Sequence, residues 1–276
     1  MDSYDLDTMR HSAAHVMAAT VEKLWPDAKF DIGPSTEDGF YYDIDMAHRL
    51  SDKDLKDIEK AMRKMLGRKL PFERKVVSRD EAIKIFSEKN QDFKLLRLQD
   101  IAEDEEISLY QCGDFVDLCR GPHLEHSGQI GAVKLLNVAG SYFRGDENNP
   151  MLQRIYGTCF NNQEEMQNYL KNLEEAKKRD HRKIATEMEL YSVHQEIGPG
   201  LICWHPAGAR IRNTMEDFWR KAHYANGYEM LYTPHVGKSQ LWQTSGHLDF
   251  YKEGMFSEMN IDNDAYYIKP MNCPFH

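Results

Sequence analysis

The chain contains 276 residues, enough for one large domain or two of ordinary size. Hydrophobic residues make up 41% of the sequence and charged residues 29%, a globular mixture that argues against a disordered chain. The formal net charge of −10 excludes a general attraction to phosphate, so a nucleic acid partner has to bind a local basic patch. Residues 177–183, the densest cationic stretch, are a candidate patch, and a solvated helix face is the alternative interpretation.

Cysteine usage and hydropathy predict a cytoplasmic protein without a membrane segment. The five cysteines are odd in number and show no CxxC spacing, which argues against a disulfide framework. No apolar run approaches the ~18 residues of a membrane span, and the first residues include neither a basic nor an apolar signal-like region.

The first predicted helix covers residues 9–25, with Asp7 or Thr8 as its N-cap and an apolar stripe at helical spacing. A proline and several glycines mark turns after this helix. Between those turns, the aromatic segment 40–44 predicts a strand.

Capping-box sequences that begin at Ser51 and Ser78 predict two further helices. The pattern then changes to short β-rich runs separated by glycines, over residues 107–112, 132–138 and 154–160. Because helices come first and strands follow, this part of the chain predicts an α+β domain.

A single long polar helix with a thin apolar stripe is predicted over residues 163–189, typical of a connector between domains. The Gly-Pro-Gly sequence at 198–200 begins a new unit. That unit is predicted to contain a strand at 201–204, a helix from about 207 to the glycine at 227, and a strand at 228–233 closed by a proline.

Two pairs of potential ligands or proton-transfer groups lie about a hundred residues apart. His11 and His15 are four positions apart on one face of the first predicted helix, and Cys119 and His123 repeat the same spacing. Three imidazoles and a thiol suit tetrahedral zinc. They can equally act without a metal, as hydrogen-bonding and acid or base groups, and the spacing leaves both alternatives open.

Several motifs spread along the chain resemble the threonyl-tRNA synthetase family, a class II aminoacyl-tRNA synthetase. They are Arg10-His-Ser-Ala-Ala-His15, Gly39-Phe-Tyr-Tyr-Asp43, Asp117-Leu-Cys-Arg-Gly-Pro-His123, Arg144-Gly-Asp-Glu-Asn-Asn149, Leu152-Gln-Arg-Ile-Tyr-Gly157, Lys178-Arg-Asp-His-Arg-Lys183 and Ile268-Lys-Pro-Met-Asn-Cys-Pro274. The resemblance implies a two-layer α/β editing domain over 1–160, a linker helix over 161–190, and over 191–276 the first part of a class II catalytic core, with an antiparallel sheet and helices.

In that family the first domain hydrolyses mischarged seryl-tRNA(Thr), and the resemblance implies the same pocket here. The matching positions, to which we assign the catalytic work, are His11, His15, Tyr42, Lys94, Asp117, Cys119 and His123. Lys94 is placed only by its surroundings. We expect the histidines and Lys94 to orient water and handle protons, Asp117 to hold the substrate amine and Cys119 to shape the pocket wall, without a metal.

The remaining expectations concern the synthetic half. The segment from 207 to 234 resembles class II motif 1, which implies a homodimer, and Cys273 resembles a ligand of the family's synthetic zinc. ATP, zinc, tRNA(Thr), threonine and serine are therefore expected for the full-length enzyme. Without motifs 2 and 3 and the other zinc ligands, this chain is expected to edit but not to aminoacylate.

Two alternatives remain open. A free-standing alanyl-type editing hydrolase would explain residues 1–160, but not the segments that resemble the catalytic core. A module that binds tRNA without catalysis would use the basic stretch at 177–183 and an inactive pocket.

Overall fold

The computed structural model describes residues 5–276, which form two compact units, one up to residue 178 and the other from Arg179 to His276. In this described part of the chain, no helix is both long and apolar enough to cross a membrane.

The first unit combines helices with antiparallel strands. Its helices are α1 (Leu6–Leu24), α2 (Asp52–Leu66), α3 (Arg79–Glu88), α4 (Asp92–Gln99) and α5 (Gln163–Lys178). Its strands are β1 (Lys29–Phe30), β2 (Ser35–Thr36), β3 (Gly39–Asp45), β4 (Phe72–Val77), β5 (Ile107–Cys112), β6 (Phe115–Leu118), β7 (Ala132–Tyr142) and β8 (Met151–Phe160).

The strands of this unit form two sheets. The larger sheet has the order β1-β3-β8-β7, with β2 also paired to β3, and the smaller one has the order β4-β5-β6. Each of these pairs is antiparallel. Helices packed on antiparallel sheets confirm the predicted α+β class.

Helix α1 is the central packing element of the first unit. It begins at Leu6, three residues earlier than predicted, because the carboxylate of Asp5 accepts hydrogen bonds from the amides of Asp7 and Thr8. The predicted caps are therefore wrong. Since α1 packs on α2, on β3 and β8, and also touches β6, the stretch from Met9 to Val21 is buried around most of its circumference.

The other predicted elements of this unit agree with the structure in type. The capping box at Ser51 is present, since its amide donates to Asp54 Oδ2 at 2.8 Å, and Ser78 Oγ accepts from the Glu81 amide at 3.2 Å. Strand β5 has the predicted bounds. Strands β7 and β8 are longer than predicted, because their ladder continues to the pair of Tyr142 with Met151.

The predicted single helix over 163–189 is wrong. Helix α5 ends at Lys178, and a separate helix, α6 (His181–Glu187), begins in the second unit. Asp180 lies between them with a ψ of 114°, and its carboxylate accepts from the Arg182 amide at 2.9 Å. A short acidic side chain that caps the following turn competes with helix continuation, which explains the break.

The second unit also mixes helices and antiparallel strands. After α6 it contains helices α7 (Pro206–Ala225), α8 (Ser239–Thr244) and α9 (His247–Phe250), and strands β9 (Tyr191–Val193), β10 (Ile202–Trp204), β11 (Val236–Lys238), β12 (Met259–Ile261) and β13 (Asp264–Ile268). β9 pairs with β10, and the other three form a sheet in the order β11-β13-β12.

One predicted strand of this unit is wrong. Residues 228–233 are not a strand, and no other segment of residues 5–276 pairs with them. A strand needs a neighbouring backbone for its amides and carbonyls, and the aromatic composition that predicted it does not supply one. Pairing begins after the proline, at β11.

Candidate functional site

A buried carboxylate lies at the base of the candidate site in the first unit. Asp117, on β6, accepts a hydrogen bond from Tyr42 Oη at 2.5 Å, and its Oδ2 lies 3.2 Å from His15 Nε2. Its other oxygen forms an ion pair with Lys94. Because all four side chains are buried, the pairing compensates for removing two charges from water.

Strand β3 and helix α4 bring Tyr42 and Lys94 to this carboxylate. Lys94 Nζ also donates to Tyr42 Oη at 3.1 Å and to the carbonyl of Asp31 at 2.5 Å, so the ammonium group has three partners. The Tyr42 ring packs closely against Gly33, where a Cβ would lie 2.1 Å from it. The carboxylate and its partners are therefore held by several elements at once.

A thiol and imidazoles form the upper part of the site. Cys119 Sγ lies 3.3 Å from both His11 Nε2 and His123 Nε2, and it accepts the amide of Gly121 at 3.3 Å. His11, His15, Cys119 and His123 each offer a ligand atom, and these atoms all lie within 4.8 Å of one another. The structure thus brings together the two sequence pairs.

The loop after β6 requires a glycine to place Cys119 and His123. Gly121 has a φ of +75°, and an added Cβ would lie 2.3 Å from Tyr110 Oη. Aromatic rings also hold His123: Phe72 stacks on it at 5.2 Å with an interplanar angle of 12°, and Tyr110 lies edge-on at 4.5 Å. The loop and the ring have little freedom.

Burial keeps the imidazoles and the thiol of this site neutral. It lowers the pKa of His11, of His15 and of His123, and the neighbouring imidazoles lower the pKa of His15 and His123 further. Burial, followed by the charge of Asp117, raises the pKa of Cys119 to about 12. Near neutral pH, the site therefore contains neutral imidazoles and a protonated thiol.

This protonation state determines what the groups can do. Neutral imidazoles accept protons and hydrogen bonds, so they suit general base catalysis. A thiol with a raised pKa is a poor nucleophile, because the thiolate is the reactive form. The arrangement therefore favours the activation of water over covalent catalysis by Cys119.

The same groups fit a zinc ion chemically. Three imidazoles and one thiol are typical zinc ligands, and Nδ1 of the buried His15 has no hydrogen-bond partner among the described residues. A bound ion would be held by His11, His15, Cys119 and His123, and the thiol would have to lose its proton. The expected metal-free pocket remains a prediction.

A cavity of about 210 Å³ opens beside this site. Lys94 and Cys119 contribute to its lining, together with Arg97, Arg120 and Ser108. Because Asp31 and Glu106 also line the cavity, a small polar ligand there would meet side chains of both charges beside Cys119.

Cys273, the predicted zinc ligand of the synthetic half, lies in the second unit. Its exposed Sγ is 3.1 Å from His247 Nε2. A catalytic zinc needs three protein ligands, and among residues 5–276 the only close group of three or more potential ligands is the one around Cys119. The role of Cys273 therefore stays a prediction.

The sequence analysis missed several residues around the site. Ser12 contacts His123, and the rings of Phe72 and Tyr110 pack on the same imidazole. Arg97 donates two hydrogen bonds to the carboxylate of the buried Asp31. Only Ser12 had a usable signal, because it lies between the two histidines. The others approach the site through tertiary contacts that no local pattern indicates.

Comparisons with known proteins identify relatives over nearly the whole chain. The family described as threonyl and alanyl tRNA synthetase second additional domain matches residues 107–156, which contain Asp117, Cys119 and His123. Part of a crystallised RNA binding domain of threonyl-tRNA synthetase from Cryptosporidium parvum is 38% identical, covers 36% of this chain and 24% of that one, and superposes with a TM-score of 0.34.

Other relatives are similar to this chain over nearly all of its residues. The threonine–tRNA ligase of Borrelia hermsii is 52% identical over 97% of this chain and 46% of its own length. That of Dehalococcoides mccartyi is 52% identical over 99% of this chain and 46% of its own length, and that of Acidithiobacillus ferrooxidans is 50% identical over the whole chain and 43% of its own length. The chain spans somewhat less than half of the length of these relatives, and over that part it is similar to them in sequence.

Proposed function

We propose that the first unit hydrolyses seryl-tRNA(Thr), as the editing part of a threonine–tRNA ligase whose complete form attaches threonine with ATP and a synthetic zinc. The observation that supports this best is the neutral cluster of His11, Cys119 and His123 beside an open cavity. Cys119 and His123 lie in the segment of the chain that the family match includes. Threonine, serine and tRNA(Thr) are the substrates in this proposal.

A ligase for threonine needs such a site for a physical reason. Serine lacks only one methyl group, and such a difference is worth roughly 1–3 kcal/mol, or about 10- to 200-fold in selectivity. That is too little for translation. A second, hydrolytic pocket that the threonyl methyl group does not enter productively removes the serine that has been attached in error.

The proposed reaction is attack of water on the ester carbonyl. A ring nitrogen of His11 or His123 takes a proton from the water as its oxygen bonds to the carbonyl carbon. When the intermediate collapses, the bond to the ribose oxygen breaks and that oxygen receives the proton. The products are serine and tRNA with a free 3′ end, and Cys119 lines the pocket wall.

Asp117 has a different role in this proposal from the one expected from the sequence. Its carboxylate is buried and already contacts Tyr42, His15 and Lys94, so it has no exposed oxygen for a substrate amine. We assign to it the orientation of His15 and Lys94. Lys94 also lines the cavity, where its positive charge favours the developing oxyanion.

The proposal also assigns domains to the whole chain. We retain an editing domain over 1–160, a linker over 161–190 and the first part of a class II core over 191–276, acting in the cytoplasm. The compact units divide at 178, inside the proposed linker. This chain alone is proposed to edit without aminoacylating. Among residues 5–276, Cys273 and His247 do not form part of a group of three potential ligands, and a catalytic zinc needs three protein ligands.

The test measures hydrolysis of tRNA(Thr) charged with labelled serine. Replacing a general base lowers rates by about 10²- to 10⁴-fold, so His11→Ala should lose most of the activity. Cys119→Ala should also be slower, whereas Cys203→Ala, a half-buried cysteine of the second unit, should match the unchanged protein. Unchanged rates in both pocket variants would contradict the site assignment.

A second assay, with serine attached to tRNA(Ala), distinguishes the proposed function from that of an alanyl-type editing hydrolase. The similarity to threonine–tRNA ligases over nearly all residues of this chain supports a preference for tRNA(Thr). Faster hydrolysis of seryl-tRNA(Ala), with stoichiometric zinc in the purified protein, would favour the alanyl type. Binding of tRNA without hydrolysis of either ester would favour a non-catalytic module.

A further inference from the structure

Ser12 lies on α1 between the two pocket histidines and is completely buried. Its Oγ contacts three groups: the carbonyl oxygen of Thr8 at 2.8 Å, the amide nitrogen of Leu124 at 3.0 Å and Nδ1 of His123 at 3.1 Å. The hydroxyl therefore joins the first helix to the loop that contains Cys119 and His123.

Counting protons fixes the direction of these three hydrogen bonds. A serine hydroxyl has one proton to donate and two lone pairs that accept. The Thr8 carbonyl can only accept, and two oxygens 2.8 Å apart repel unless the proton lies between them. The Leu124 amide can only donate. The remaining lone pair of Ser12 faces His123 Nδ1, which therefore has to be the protonated ring nitrogen.

We propose that Ser12 is a positioning residue that holds the proton of His123 on Nδ1 and so leaves Nε2 unprotonated beside Cys119. The contact on the other side of the ring agrees with this tautomer, because a protonated thiol 3.3 Å from Nε2 can donate to it. The Phe72 and Tyr110 rings pack on the imidazole and oppose its rotation.

The consequence for catalysis rests on the proposed hydrolysis. An unprotonated Nε2 can take a proton from the attacking water, and afterwards it can return that proton to the ribose oxygen. The opposite tautomer would present an N–H group to the pocket and could not accept the proton. The tautomer itself is a property of the protein without substrate, so it can be measured independently of any activity.

The first experiment is long-range ¹H–¹⁵N NMR spectroscopy of the whole ¹⁵N-labelled chain at neutral pH. The His123 signals are assigned by their loss in His123→Gln. We expect Nδ1 at the protonated chemical shift and Nε2 at the unprotonated one. A protonated Nε2 in the unchanged protein would overturn the proposal, whether or not the protein hydrolyses any ester.

The second experiment compares three variants. In Ser12→Ala, the His123 signals should move towards the other tautomer or an average. The kcat for seryl-tRNA(Thr) should fall by ~10- to 100-fold, by analogy with the loss of a group that orients a metal-binding histidine. Ser12→Thr keeps the hydroxyl and should keep the tautomer and most of kcat.

Thr20→Val is the matched control. Thr20 is a buried residue of the same helix, and its hydroxyl donates to the Val16 carbonyl at 2.7 Å without touching the pocket. This variant should lose some stability but should keep both the His123 tautomer and kcat. If Ser12→Ala behaves like Thr20→Val in both measurements, Ser12 has only a structural role and the proposal is wrong.

Discussion

At the scale of single residues, charge burial dominates the site. Asp117 and Lys94 are each about 97% buried, and the remaining partners of the carboxylate are neutral in the folded protein. Replacing one member of a buried pair leaves the other charge uncompensated. The site is therefore expected to be as sensitive in stability as in activity.

Asp117→Ala should lower the free energy of unfolding by about 3–5 kcal/mol, since Lys94 would remain buried and charged. Asp92→Ala is the matched control, because the Lys29–Asp92 pair is largely exposed and such pairs contribute about 0–1 kcal/mol. Urea denaturation measures both. Equal losses in the two variants would contradict the buried ion pair.

The buried histidine at position 15 should make stability depend on pH. Burial lowers the pKa of His15 well below its usual 6.5, so below that pH the unfolded chain binds a proton that the folded protein does not. The free energy of unfolding should therefore fall as the pH drops through 6.5 towards 5, because the unfolded state is stabilised by the proton that it binds. His15→Gln should remove that part of the pH dependence, whereas Thr20→Val should keep it.

The spacing of His11 with His15 and of Cys119 with His123 was sufficient to predict that the members of each pair lie close together, because this proximity depends on local geometry. The place of Ser12 between the two histidines could have indicated that it lies near the site, but not that it contacts His123, since the two are 111 positions apart. Lys94 was placed only by its surroundings, and its contacts come from two strands and the loop that contains Asp31.

At the scale of elements, predictions succeeded where local chemistry decides. The caps at Ser51 and Ser78 and the bounds of β5 follow from hydrogen bonds and alternation within a few residues. The single helix predicted over 163–189 was wrong, because Asp180 caps a second helix and interrupts the first. The strand predicted over 228–233 was wrong, because no strand of residues 5–276 pairs with that segment.

The loop after β6 gives a prediction at this scale. Gly121→Ala should lower both stability and hydrolysis, because the new Cβ meets Tyr110 and the loop that holds Cys119 has to move. Gly145→Ala is the matched control: its φ of +72° is similar, but nothing lies within 4 Å of its Cβ position. The control should lose about 1 kcal/mol from backbone strain alone and keep full activity.

At the scale of the whole molecule, helix α7 exposes several large apolar side chains, among them Met215, Phe218 and Trp219. We propose that this face contributes to a homodimer, as its resemblance to motif 1 implies. Phe218→Asp should therefore weaken self-association in sedimentation experiments. Phe250→Asp is the control, since Phe250 is 84% exposed but lies on α9, outside α7. If Phe218→Asp self-associates as strongly as Phe250→Asp, this face of α7 is not part of a dimer interface.

We expect the whole chain to hydrolyse seryl-tRNA(Thr) and to spare threonyl-tRNA(Thr). The most direct measurement compares its rates on seryl-tRNA(Thr) and threonyl-tRNA(Thr) under identical conditions, with His11→Ala as the inactive reference. We predict faster release of serine, with a rate that falls by about 10²-fold or more in His11→Ala. Equal rates on the two esters, or a serine rate unchanged by His11→Ala, would contradict the account.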